Sequence, residues 1–216
     1  VWKINGKDVL YVYASHDMEP SLGCDRMDRY HVFSTEDQKT WTDHGEIMNA
    51  ATVRKQAGWG SEGFMWAPDC AYNPEDQLYY FYFPHPENTQ NWNSTWRIGV
   101  AVSRYPDKEF TVVGYVKGMM PFIDPCVFVD DDGQPYIYNG GGGSCYGAKL
   151  SRNNWTKLAS QPVRMEGLED FHEATWVHKY NGRYYLSHSD NNSPSKGGNM
   201  MRYAVSDSPL GPWESL

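Results

Sequence analysis

A chain of 216 residues with 27 acidic against 19 basic side chains and a net charge of −8 has no basic run, which argues against a nucleic-acid partner and favours a neutral or cationic ligand. It contains no apolar run of the roughly 18 residues that would span a membrane, and its start does not resemble a signal peptide, so an extracellular or periplasmic protein would carry its export signal outside this segment. Aromatic residues make up 15% of the chain, with nine Trp and sixteen Tyr, which favours β-structure and supplies flat surfaces for sugar rings.

Residues 1–13 read as a short strand, an Asn5-Gly6 hairpin turn and an aromatic return strand. A third strand is predicted over residues 30–34, and after a polar turn Trp41 begins an outer edge strand. Residues 49–66, including Gly58-Trp59-Gly60-Ser61-Glu62-Gly63, are expected as a loop carrying specificity. The pattern then repeats from Asp69, ahead of residues 70–72, with a longer turn over residues 73–77, a return strand over 78–83 and a third strand over 96–103. Between them, residues 84–93 form a second candidate specificity loop.

The third copy runs from Asp124 through an apolar strand, Asp132-Gly133 and a return strand over residues 136–138, followed by Gly140 to Gly143 and a strand over 146–150. Those glycines are expected to leave room above a central cavity. Asp130-Asp131-Asp132-Gly133 lacks the alternating acid spacing and the distal Glu of a calcium loop and reads as a solvated turn. The fourth copy places Glu173 ahead of residues 174–180, Asn181-Gly182 at the turn, a return strand over 184–186 and a third strand over 201–206, with Trp155 and Trp213 opening outer strands in the last two units.

Four units of three or four antiparallel strands with almost no helical periodicity predict an all-β propeller, with a sandwich as the alternative. The start of a hairpin's first strand and the end of its second lie at the same end of the sheet, so Asp69, Asp124 and Glu173 are expected to point into one cavity. Cys24, Cys70, Cys126 and Cys145 show no C-x-x-C spacing, so no zinc site is expected and any disulfide connectivity stays open. Cys70 and Cys126 occupy equivalent repeat positions and are expected as buried thiols.

In this order Tyr13-Ala14-Ser15-His16-Asp17, Trp66-Ala67-Pro68-Asp69, Ile123-Asp124-Pro125, His172-Glu173-Ala174 and Gly211-Pro212-Trp213 resemble the family 43 glycoside hydrolases over essentially the whole chain. The resemblance implies a five-bladed β-propeller, about four blades of it in residues 1–216, that cleaves arabinofuranosides and xylosides with inversion. It matches Glu173 to the general acid and Asp124 to a second acid that tunes and orients it, while Asp69 lines the pocket without donating a proton. It puts the general base in an Asp-Pro ahead of Val1 and a final blade beyond Leu216, so residues 1–216 are expected as a partial catalytic domain that hydrolyses nothing measurable by itself. No cofactor is required; a structural calcium on the propeller axis would take its His ligand from the final blade.

Inverting hydrolysis needs one protonated carboxylic acid at the glycosidic oxygen and one carboxylate activating water on the opposite face, about 6.5–9.5 Å away. The proton donor must stay protonated near neutral pH, through burial or a neighbouring negative charge, which Asp124 is placed to supply. Trp66 is a candidate to stack on a pentose, and His16, Asp17, His85 and His188, at or just after return strands, are candidates to bond sugar hydroxyls. A non-catalytic carbohydrate-binding propeller is the competing reading. A fructosidase would need Arg where Ile123 stands.

Overall fold

Asn5-Gly6 and Asn181-Gly182 sit at φ of 49°, 82°, 48° and 77°, the left-handed backbone that a two-residue type I′ hairpin demands at both central positions. These turns belong to a computed structural model that describes residues 1–20, 22–60, 62–192 and 198–216; of the predicted specificity loops, Ser61 lies outside the described residues.

Among the described residues, four antiparallel sheets follow one another along the chain. The first joins β1 (Trp2–Ile4), β2 (Lys7–Ser15), β3 (Arg29–Thr35) and β4 (Thr42–Asn49) in chain order. The second joins β5 (Asp69–Asn73), β6 (Leu78–Pro86), β7 (Trp96–Ser103) and β8 (Thr111–Tyr115). The third joins β9 (Ile123–Val129), β10 (Pro135–Gly141), β11 (Ser144–Ser151) and β12 (Asn154–Leu158), with the short β13 (Val163–Arg164) also on β11. The fourth joins β14 (Glu173–Tyr180), β15 (Arg183–Ser189), β16 (Met201–Ser206) and β17 (Glu214–Ser215). Each sheet is a meander whose first strand is innermost, and β9 lies against β5 and β6 on one side and β14 on the other. This is a propeller arrangement of four blades.

The core lies between blades, because every sheet has two faces to bury. Tyr30, Phe81, Phe83 and Val112 fill the first interface. Tyr82, Ile98, Ile137, Leu150 and Trp155 fill the second, and Tyr138, Val177, Leu186, Ala204 and Trp213 the third. A Tyr on the second strand of each of the first three blades resolves its hydroxyl against a carbonyl of the next: Tyr13 donates to Pro106, Tyr82 to Trp155 at 2.9 Å and Tyr138 to Pro209 at 2.7 Å. Four cysteines are free thiols; Cys126 and Cys145 are buried, whereas Cys70, expected to be buried, is half-buried.

Two elements depart from the sequence expectation. Residues 50–57 of the supposed loop form α1 (Ala50–Ala57), capped by the Asn49 side chain accepting the Thr52 N–H at 2.8 Å and ended by Gly58 at φ 72°. With only Ala50 and Val53 buried, two turns are too few to show a period in the sequence. The Asp130 to Gly133 turn is also not simply solvated. Asp130 accepts Lys179 Nζ at 2.7 Å and Tyr184 Oη at 2.6 Å, clasping the third blade to the fourth. Among the described residues no helix is long and apolar enough to cross a membrane.

Candidate active site

Asp69 and Glu173 are the first residues of β5 and β14, and Asp124 is the second of β9, so the repeat acids do stand at the inner ends of three blades. What each carboxyl does there differs. Asp69 is 8% exposed; its oxygens accept the Cys70 N–H at 2.7 Å and, across the blade boundary, the Val127 N–H at 2.6 Å. Asp124, also 8% exposed, accepts the Ala174 N–H of the fourth blade at 2.7 Å. The Glu173 side chain is 43% exposed and faces a cavity.

The expectation that all three acids point into one cavity therefore holds for Glu173 alone. Asp69 and Asp124 are turned into the blade boundaries because a buried carboxylate needs donors, and the nearest are amides of the neighbouring inner strand. Bulges accompany the arrangement at two of the three acids: the β9/β10 register slips between Ile123 and Cys126, and the β14/β15 register slips between Glu173 and Trp176, whereas the β5/β6 register runs unbroken from Asp69. Within the two bulges Asp124 and Ala174 adopt φ of 52° and 63°. Two non-glycine residues in left-handed backbone, joined by one hydrogen bond, mark strain concentrated at a site.

Burial raises the Asp124 carboxyl to about 7, against the pull of the Ala174 N–H and with the negative charge of Glu173 adding to the rise. Asp69 is likewise raised to about 7 by burial, opposed by the Val127 and Cys70 amides. His172 Nε2 stands 3.7 Å from a Glu173 carboxyl oxygen, and Asn191 Nδ2 is 3.4 Å from the same imidazole nitrogen.

The cavity, of about 380 Å³, is built from three blades. Trp66, Trp92, Asn93 and Trp96 come from the second, Phe122, Ile123, Gly141 and Gly142 from the third, His172 and Glu173 from the fourth. Trp66 is held by its indole N–H donating to the Cys24 carbonyl at 2.6 Å and lies 4.8 Å from the Trp96 ring. Gly141 and Gly142 line the wall as the glycine run suggested, while Gly140 serves packing, since a Cβ there would come within 2.5 Å of the Phe171 ring.

Trp66 is thus brought to the cavity, and several other sequence candidates are not. His85 is wholly buried against Trp59, 5.5 Å between ring centroids, and burial with Arg97 and Arg54 lowers its pKa to about 4, so it is out of reach of a sugar. His188 is 1% exposed, 5.1 Å from the Phe171 ring, with Nδ1 donating to the Ser189 carbonyl at 3.2 Å. His16 stacks on His31 at 4.9 Å and Asp17 is exposed beside it; both belong to the first blade, and neither lines this cavity. Among the lining residues that the sequence reading did not single out as site candidates are Trp92, Asn93, Trp96, Phe122 and His172. Trp92 was visible only as part of a loop flagged for specificity.

Among the described residues no three His, Cys, Asp or Glu side chains converge as a cation site. The model of glycosyl hydrolases family 43 matches residues 3–216. The chain is 35% identical to a xylosidase/arabinosidase 43A of Humicola insolens, covering 86% of this chain and 69% of that protein. It is 30% identical to a xylosidase/arabinosidase of Bacteroides ovatus, over 94% and 72% respectively. Among solved structures, a family 43 β-xylosidase/α-arabinofuranosidase from a compost microbial metagenome, complexed with xylotriose in a calcium-free form, superposes with a TM-score of 0.78 at 29% identity, covering 96% of this chain and 73% of that one.

Proposed function

The chain belongs to family 43 of the glycosyl hydrolases, and from that premise we propose that it forms part of an inverting glycosidase removing β-xylosyl or α-L-arabinofuranosyl groups from plant cell-wall polysaccharides or their oligosaccharides. The observation that carries the reading is the junction of the third and fourth blades. There a buried carboxyl, Asp124, fixes the amide next to Glu173, and Glu173 faces an aromatic cavity.

In this reading Glu173 gives its proton to the glycosidic oxygen as the bond to the anomeric carbon breaks. Asp124 holds the donor in place through Ala174 and, once ionised above about pH 7, supplies a like charge beside it. Trp66 offers an apolar face to the sugar ring. A water on the opposite face of the sugar completes the displacement, activated by a carboxylate proposed to lie in an Asp-Pro ahead of Val1. Asp69, whose oxygens are occupied by two amides, maintains the blade boundary.

Residues 1–216 would then be a partial propeller domain. Trp176, Met201 and Tyr203, exposed on the outer face of the fourth sheet, support a further blade packing against that face. A structural calcium, if the complete domain holds one, would depend on ligands from that blade; none of the chemistry above passes through it.

The test is an assay of the full-length protein on nitrophenyl arabinofuranoside, xyloside and galactoside, with the anomer of the first-formed sugar read by NMR. Turnover of a pentoside with inverted product is expected. Retention of configuration, or carbohydrate binding without turnover, would sink the proposal.

A further inference from the structure

We infer that Trp92 is the platform for the sugar unit on the leaving-group side of the scissile bond, and that it selects substrates whose leaving group is a xylopyranosyl ring. The inference rests on the glycosidase reading and extends it to what lies beyond the cleaved residue.

Trp92 does not belong to the blade framework. It projects from two short 3-10 turns over Thr89–Ser94 that meet at a kink at Asn91, inserted between β6 and β7. That segment is braced from within: the Asn88 side chain accepts the Gln90 N–H at 2.9 Å, and the Thr95 hydroxyl bonds the Asn88 and Asn91 carbonyls at 3.1 and 2.9 Å. A loop held this way presents its Trp as a fixed surface. The ring stands 5.5 Å from Trp66 at 72° and 5.8 Å from Phe64, so neighbouring aromatics hold it at its edges. Phe64 itself adopts φ 62°, uncommon for an aromatic residue.

Depth decides which sugar meets which ring. Trp96, at 6% exposure, is at the cavity's inner wall; Trp66 is half-buried; Trp92, at 39%, is at its lip. A terminal sugar cleaved from a chain occupies the inner part, and the remaining chain must leave over the lip. Glu173 lines the same cavity; in the inferred binding mode the glycosidic oxygen lies at its carboxyl, the inner sugar against Trp66 and Trp96 and the departing sugar against Trp92. A β-linked xylopyranosyl unit suits that surface, because its hydroxyls are all equatorial, it has no hydroxymethyl arm, and both its faces are C–H. An exposed indole gains by covering such a face.

The test uses the full-length protein, its Trp92→Ala variant and its Trp92→Phe variant, with two substrates: xylobiose, whose leaving group is a ring, and β-xylosyl fluoride, whose leaving group is not. Trp92→Ala should lower the ratio of kcat/KM for xylobiose to that for the fluoride by about tenfold, mostly through KM, and Trp92→Phe should restore most of it. An unchanged ratio in Trp92→Ala, whether both substrates fall together or neither does, overturns the inference while leaving the glycosidase reading intact. If the unaltered protein cleaves neither substrate, this inference fails; the glycosidase reading fails with it only when nitrophenyl arabinofuranoside is not turned over either.

Discussion

Asp124 and Ala174 lie on the inner strands of different blades, yet the Asp124 carboxylate accepts the Ala174 N–H at 2.7 Å, and both residues hold positive φ. The bond ties the backbone of the proton-donor candidate to a carboxyl that titrates near neutrality. Burial raises the Asp124 value, and the Glu173 charge adds to the rise. The two carboxyls differ in exposure: Asp124 is enclosed, whereas Glu173 faces the cavity.

Asp124→Asn keeps an acceptor oxygen for Ala174 and removes the charge. A carboxyl that loses a like-charged neighbour gives up its proton at lower pH, so the alkaline limb of the pH–rate profile should move downward, each unit corresponding to about 1.4 kcal/mol. Asp124→Ala removes the acceptor as well and should lower kcat further with the limb displaced in the same direction. An alkaline limb that stays in place in Asp124→Asn would refute the electrostatic part of the role.

Asp69 makes a prediction about stability and its pH window. Its folded value of about 7 lies above the ordinary carboxylate range, so between about 4 and 7 the folded chain binds more protons than the unfolded one. Stability should accordingly fall as pH rises through that window, by about 1.4 kcal/mol per unit for each such group, and level off above it. Asp69→Asn should reduce this slope while costing about 1–3 kcal/mol at low pH, since one of two amides loses its acceptor. Denaturant unfolding of both forms at pH 4, 5.5 and 7 reads the difference.

Much of this architecture was legible in the sequence because the repeat is local. Turn pairs such as Asn181-Gly182 fix hairpins, and residues 96–103 and 201–206 are strands with the predicted bounds. The positions of Asp69, Asp124 and Glu173 followed from the same register. Their directions did not: a bulge at residues 123–126 or 173–176 re-aims the side chains of Asp124 and Glu173 without changing the hydrophobic pattern, and the Val127 amide that holds Asp69 lies in another blade. The aromatic wall was hidden for a different reason. Trp66, Trp92 and Phe122 are distant in sequence, and only blade packing brings them together.

The Asp130 clasp offers a test of blade cohesion independent of the active site. Burial would raise this carboxyl, but the Lys179 and Tyr184 bonds and the Asp131 amide outweigh it and hold the group below its ordinary range. For a lowered carboxyl the stabilisation is present above the unfolded value and is lost as pH falls through the folded one. Asp130→Asn should cost about 1–3 kcal/mol at pH 7, with the gap to the parent closing in acid. An equal gap at pH 7 and at pH 2 would show that packing, not the ion pair, holds the two blades.

Glu173→Gln separates proton donation from every other contribution of the site. Gln fills nearly the same volume at the cavity wall and leaves the Asp124 bond to Ala174 available, so binding should survive while the proton is lost. A natural sugar leaving group has to be protonated as it departs, so turnover of a xylo- or arabinoxylo-oligosaccharide by the full-length protein should drop by several orders of magnitude. A dinitrophenyl pentoside departs as a stabilised anion and should lose far less. The same substitution removes a charge that raises Asp124, so the Asp124 carboxyl should titrate at lower pH, measurable by its infrared carbonyl band. If natural and activated substrates slow equally, Glu173 is not the proton donor, even should the variant prove inactive on both.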